Sequence, residues 1–225
     1  MGVTPEQLAE VYPELYHMAE ADTWDSIRER GLLSTSALLA LFEVPEARRV
    51  EVESRRRPDS VELTHPKHGR AVVRDQNPLI ESQLVRTLHG CTAEEWYRLL
   101  NSRVFFWLTK ERLCTLLCAN TYAGANHTVL TVDTLSLVRT HQKQITLAAM
   151  NTGNTRPFPH PRGPDTFKRM QDYPFQERAK AGPNGRVVEL AVEGGVPDIE
   201  QFTLGVDVMT CASGQGRTLK SIFKR

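Results

Sequence analysis

The sequence predicts an α+β fold in which short helices pack on a mainly antiparallel sheet. Three observations predict it. Helices with recognisable cap signals alternate with short apolar strands. None of those strands runs into the glycine-rich turn of a dinucleotide fold, and the spacing does not repeat as regular βαβ units. The composition is ordinary for a globular chain: 225 residues, 40% hydrophobic and 24% charged. A chain of this length buries a self-sufficient core, and residues 1–225 read as one domain.

The elements follow in order. Leu15-Tyr16-His17-Met18 reads as a strand ending before Asp22. Asp22 is the expected N-cap of a two-turn helix with Asp25 three residues on, Trp24 and Ile27 on one face, and Gly31 as its stop. Ser34 caps a second helix that buries Leu38, Leu39 and Phe42 until Pro45 ends it. Asn77-Pro78 has the form of a cap followed by a first-turn proline, with Ile80, Leu84 and Leu88 recurring along one face. Thr92-x-x-Glu95 is a capping box for a helix carrying Trp96, Leu99 and Leu100. Thr109 opens another, with Leu113, Leu116 and Leu117 inward. Strands are expected at 104–107, 128–132, 144–148, 186–192 and 202–208. Residues 150–185, rich in Pro, Gly and Asn, are too long for a plain connector and read as a functional loop.

A net charge of +1 hides asymmetry. Residues 1–47 hold nine acids against Arg28 and Arg30, a net of −7. Residues 48–74 and 156–186 each carry a net of +4, and from Val208 onward four basic side chains meet no acid. Local basic clusters in a near-neutral chain suggest an anionic ligand. Cys91, Cys114, Cys118 and Cys211 are too scattered for a disulfide framework and form no zinc ribbon, and Cys114 and Cys118 read as buried thiols on one helix. The first residues lack the stretches of a secretory signal, and no apolar run approaches the ~20 residues that span a bilayer. These features point to the cytoplasm with no membrane association.

Glu189 is the most informative residue. In Arg186-Val187-Val188-Glu189-Leu190-Ala191-Val192 a mid-strand carboxylate stands between apolar neighbours, where burial is costly unless the group has a partner or a task. His17, at its strand's end, is placed to donate from its imidazole to a ligand. Arg74, just before the expected Asn77-Pro78 helix start, is placed to bind phosphate, whereas the Arg55–Arg57 run reads as a solvated loop. His65 and His68 lie in a Pro/Gly-rich loop without acids at metal spacing, so no metal is expected. Gly214-Gln215-Gly216 is too short to carry meaning, and Walker and Gly-x-Ser-x-Gly motifs are absent.

Leu15-Tyr16-His17, followed by a helix ending Ile27-x-x-x-Gly31-Leu32-Leu33-Ser34, resembles the opening of DarT-type ADP-ribosyltransferases. Arg103-Val104-Phe105-Phe106-Trp107-Leu108 is similar to that family's hydrophobic strand, and Arg112-Leu113 follows where the family has an arginine and a short apolar helix. Val188-Glu189-Leu190-Ala191-Val192, with Val196-Pro197-x-Ile199 after it, resembles the strand bearing the catalytic glutamate.

The resemblance implies split β-sheets flanking an NAD cleft, with NAD as co-substrate and ADP-ribose passed to an acceptor. It implies catalytic roles for Glu189 and Arg74, NAD contacts from His17, Tyr16, Ser34, Phe106 and Trp107, and a substrate-recognition loop at 151–186. Arg156, Arg162 and Arg169 are the expected contacts to a nucleic-acid acceptor, with Lys168 and Arg178 beside them. Val187 stands where many protein-modifying transferases have Gln or Glu, which favours a nucleic-acid base, DNA included, over a protein. A toxin or defence effector with a separately encoded antitoxin or hydrolase would fit. The alternatives are a protein ADP-ribosyltransferase, an NAD glycohydrolase, a tRNA 2′-phosphotransferase-like enzyme, or a non-catalytic nucleotide-binding module.

Overall fold

The computed structural model describes residues 2–225. Its first half holds α1 (Pro5–Val11), β1 (Glu14–Glu20), α2 (Trp24–Arg30), β2 (Leu32–Leu33), α3 (Thr35–Leu41) and α4 (Glu46–Ser54). These are followed by β3 (Val61–His65), β4 (Gly69–Val73), α5 (Glu81–Thr87), α6 (Ala93–Asn101) and β5 (Arg103–Trp107). Next come α7 (Lys110–Leu117), β6 (His127–Asp133), α8 (Thr134–His141), β7 (Ile145–Ala148) and β8 (Lys168–Arg169). The chain ends with α9 (Pro183–Arg186), β9 (Glu189–Glu193), β10 (Gly195–Val196), β11 (Thr203–Ala212) and β12 (Gln215–Lys224).

The fold is α+β. Eight strands form one sheet in the order β12-β11-β6-β1-β5-β9-β7-β8, and every pair is antiparallel. Two sheets were expected, and the difference lies at one seam. β1 and β6 pair over seven residues, and β5 and β9 over five, but β1 and β5 meet only at Tyr16 and Trp107. The main core packs around these strands, with Leu15, Val104, Phe106, Leu130, Leu190 and Val192 all buried. A second cluster around Trp96, Tyr97 and Ala191 joins α6 to the sheet.

Local signals account for much of this. Thr92 and Glu95 close their capping box, and Ser34 and Thr109 cap α3 and α7. Gly31 ends α2 at φ +87°, and a Cβ there would fall 2.4 Å from the Pro197 backbone, so only glycine lets β2 pair with β10.

Several expectations need correction. Thr23, not Asp22, precedes α2, and Asp22 itself sits at φ +59°. α5 begins at Glu81 rather than at Pro78, because the Asn77 N–H bonds the Asp75 side chain and turns the chain first. α3 ends at Leu41, before Pro45, with Glu43 turning the chain at φ +52°; Pro45 instead stands at the start of α4, and the basic stretch beyond it contains the β3–β4 hairpin. The strand expected from Arg186 starts only at Glu189, because 183–186 form a helical turn. Gly214 is part of the turn between β11 and β12, where Ser213 and Gly214 both take positive φ. Cys118 and Cys211 form a disulfide across 93 residues, so Cys118 is no free thiol. Because persistent disulfides belong mostly to oxidising compartments, cysteine count does not fix the location here. Among the described residues no helix is long and apolar enough to cross a membrane.

Candidate functional site

A cleft of about 620 Å³ opens at the β1–β5 seam, within the range of small-molecule sites. Its lining combines His17 from β1, Trp107 from β5 and Glu189 from β9 with Arg74, Arg112, Thr152 and Arg156. The seam provides the opening, since two strands that pair at one residue leave the rest of their edges free to face a ligand.

Glu189 is 4% exposed. Its Oε2 accepts from the Thr152 N–H at 3.1 Å and the Thr152 hydroxyl at 2.6 Å, while Oε1 has no donor among the described residues. Burial pushes its pKa up to about 7, against the Thr152 hydrogen bonds and the nearby charges of Arg112 and Arg162. A glutamate so held changes charge near neutral pH.

His17 Nδ1 lies 2.8 Å from the Phe105 carbonyl, so Nδ1 carries the hydrogen and donates it. Burial, against the Phe105 hydrogen bond and with a smaller push from the Arg74 charge, lowers the imidazole to about 4. The neutral ring then offers Nε2 as an acceptor. This corrects the expected role: His17 can receive a hydrogen bond from a ligand hydroxyl, not donate one.

Arg74 donates to the Met18 carbonyl at 3.0 Å and lies 4.5 Å from the centre of the Tyr122 ring, whose hydroxyl bonds Asp75. It lines the cleft without a helix N-terminus beside it, since α5 starts later. Arg57 belongs to no solvated run. It is buried, with Nε and Nη1 on the carbonyls of Arg74 and Val52, and it also reaches the cleft. Arg112 is pinned to the Asn184 carbonyl through Nε at 2.8 Å.

The other expected ligand residues divide. Trp107 and Arg156 line the cleft. Tyr16, on the opposite face of β1 from His17, donates to Glu14 and packs near Leu113 and Leu117. Phe106 is fully buried in the core, and Ser34 is spent capping α3. None of these three lines the cleft.

Arg162 is fully buried, and its guanidinium donates to the carbonyls of Thr152, Asn154 and His160, so it is turned into the protein and away from any phosphate at the surface. It ties down the loop that carries Thr152. Arg169 bonds the Lys143 carbonyl and Glu193, and Arg103 bonds Glu193 from the other side. Glu193 is therefore committed as well. Arg178 donates to the carbonyls of Gly185 and Arg186, while Lys168 is exposed.

Sequence reasoning missed Thr152, whose partner lies 37 residues away. No pattern in a proline-rich loop marks it. His65 and His68 stack at 4.7 Å, and no cluster of three metal-ligating side chains exists among the described residues.

Residues 13–203 match a protein-family model described as a family of unknown function (DUF7002), and the chain belongs to that family. No curated protein and no solved structure matches it.

Proposed function

We propose that this protein is a NAD-dependent ADP-ribosyltransferase, with the β1–β5 cleft as its NAD site, Glu189 as the catalytic carboxylate and a nucleic-acid base as acceptor. One observation carries the reading. A buried carboxylate at the first residue of β9 keeps one oxygen without a protein donor among the described residues and lines the same cleft as His17, Trp107 and Arg74.

The chemistry follows from these groups. Departure of nicotinamide leaves positive charge on the ribose. A carboxylate fixed beside that carbon stabilises the developing charge more than it stabilises bound substrate, which is the condition for catalysis. Glu189 is held for this by Thr152 instead of by a direct cation, so its charge remains available. Once the ribose carries the charge, the same carboxylate can accept the acceptor's proton. His17 Nε2 accepts from a ribose hydroxyl, Arg74 faces the NAD phosphates, and Arg156 is left to meet the acceptor. Val187, two residues before Glu189, is buried in the main core, so nothing polar stands where protein-modifying enzymes hold their acceptor.

A second reading, hydrolysis of NAD with water as the acceptor, is favoured by the loop. Arg162 and Arg169 are committed within the chain, which leaves Arg156 as the one expected acceptor contact that lines the cleft.

Radiolabelled NAD incubated with single- and double-stranded DNA and RNA, and with protein, separates the readings. Labelled oligonucleotide is expected. Free ADP-ribose alone selects the hydrolase, labelled protein alone selects a protein modifier, and no nicotinamide release with any acceptor removes the transferase reading. Glu189→Gln is expected to fold and to lose on the order of 10²–10³ in rate, the usual cost of removing one preorganised electrostatic group.

A further inference from the structure

Away from the cleft, β12 forms one end of the eight-stranded sheet, with one side unpaired. Its register against β11 skips two residues. Val206 pairs with Phe223 but Asp207 with Ser221, and Val208 pairs with Lys220 but Met209 with Thr218. The residues skipped are Ile222 and Leu219. They are 38% and 48% exposed, two of the five large exposed hydrophobic side chains among the described residues.

A bulge breaks the ladder and increases twist, which keeps an edge strand from recruiting another. That explains the bulges but not their residues, since polar side chains would serve without exposing apolar surface. Arg217, Lys220 and Lys224 flank them, all exposed and without an ion pair among the described residues. No acid occurs from Val208 to Arg225. Asp207 on the neighbouring strand is held by Ser221, and Arg225 turns onto the carbonyls of Glu200 and Gln201.

We propose that this edge docks a separate acidic polypeptide, whose carboxylates meet Arg217, Lys220 and Lys224 and whose apolar side chains cover Leu219 and Ile222. Charge complementarity and the aliphatic character of the ridge select this partner. A single-stranded nucleic acid would call for exposed aromatic rings, and the ring on this strand, Phe223, is turned inward against Trp24 at 5.4 Å. Two aliphatic side chains give little hold on a lipid surface. The bulges oppose main-chain strand addition, so recognition runs through side chains.

The test uses the full chain and fluorescence anisotropy with a labelled synthetic peptide of Glu-Glu-Leu-Leu repeats. A Lys-Lys-Leu-Leu peptide, a single-stranded oligonucleotide and phosphatidylserine vesicles serve as comparison probes. The acidic peptide is expected to bind, and to bind more weakly as salt rises. The double variant Leu219→Ser/Ile222→Ser should weaken it about tenfold or more through lost apolar burial. Lys220→Glu/Lys224→Glu should abolish the salt dependence. All these positions are exposed, so melting temperature should hold, as should any nicotinamide release. Absent binding of the acidic peptide, equal affinity in the variants, or tighter binding of oligonucleotide or vesicles that the same variants remove would each overturn the proposal.

Discussion

The two walls of the cleft hold their titratable groups under the same physical influence with opposite results. On β9, loss of water raises the Glu189 carboxyl to about 7. On β1, loss of water lowers the His17 imidazole to about 4. Both groups are driven toward neutrality. The acid stops where small changes in pH or a bound cation can ionise it, whereas the base is left uncharged throughout the neutral range. One wall is therefore a charge switch and the other a fixed acceptor.

The contrast also sets two opposite slopes of stability. A glutamate unfolds to its ordinary value of 4.5, so between 4.5 and about 7 the folded chain holds the extra proton and stability falls as pH rises. His17 unfolds to 6.5 and is about 4 when folded, so its contribution is lost as pH falls through that window. Glu189→Gln should therefore melt at or above the parent temperature at pH 8 while losing activity.

The largest effect that would break the comparison is expected at Arg162. Arg162→Met leaves three carbonyls short of their donor and should lower stability by roughly 2–4 kcal/mol in urea unfolding. It should also loosen Thr152, and with it the switch. Thr152→Val removes the shorter of the two hydrogen bonds to the ionised carboxylate, so the acid should rise further and the pH–rate midpoint should move upward. An unmoved midpoint would mean that the hydroxyl does not hold the charge.

His17→Ala is smaller. Losing one neutral hydrogen bond costs about 0.5–1.5 kcal/mol, so the NAD dissociation constant in titration calorimetry should rise roughly threefold to tenfold. Turnover of bound NAD should change less. The smallest effect is expected at Arg156. Arg156→Gln should reduce the log–log salt slope of oligonucleotide binding by about 0.7–0.9, one phosphate contact.

Much of this fold was legible because its signals are local. The Thr92–Glu95 box, the Ser34 cap and the Gly31 stop each act within a few residues. β12 was not legible, because two bulges scramble the alternation that reveals a strand. The Cys118–Cys211 disulfide and the later start of α5 depend on partners that no window of sequence contains. The site divides in the same way. Glu189 is conspicuous as a carboxylate within an apolar strand, and His17 and Arg74 join it in the cleft. Arg162 misled for a physical reason: in a basic, proline-rich segment nothing distinguishes a guanidinium that meets solvent from one that holds three carbonyls.

The central claim is that Glu189 acts as an ionised carboxylate on NAD bound at the β1–β5 seam. The most direct measurement is the pH dependence of kcat/KM for nicotinamide release, from pH 5 to 9, in the parent and in Glu189→Gln. The parent rate should climb through a midpoint near the free-enzyme value of about 7, and the variant should be slow and flat. A parent profile that is flat, or a variant that keeps the same midpoint at a comparable rate, would contradict the claim.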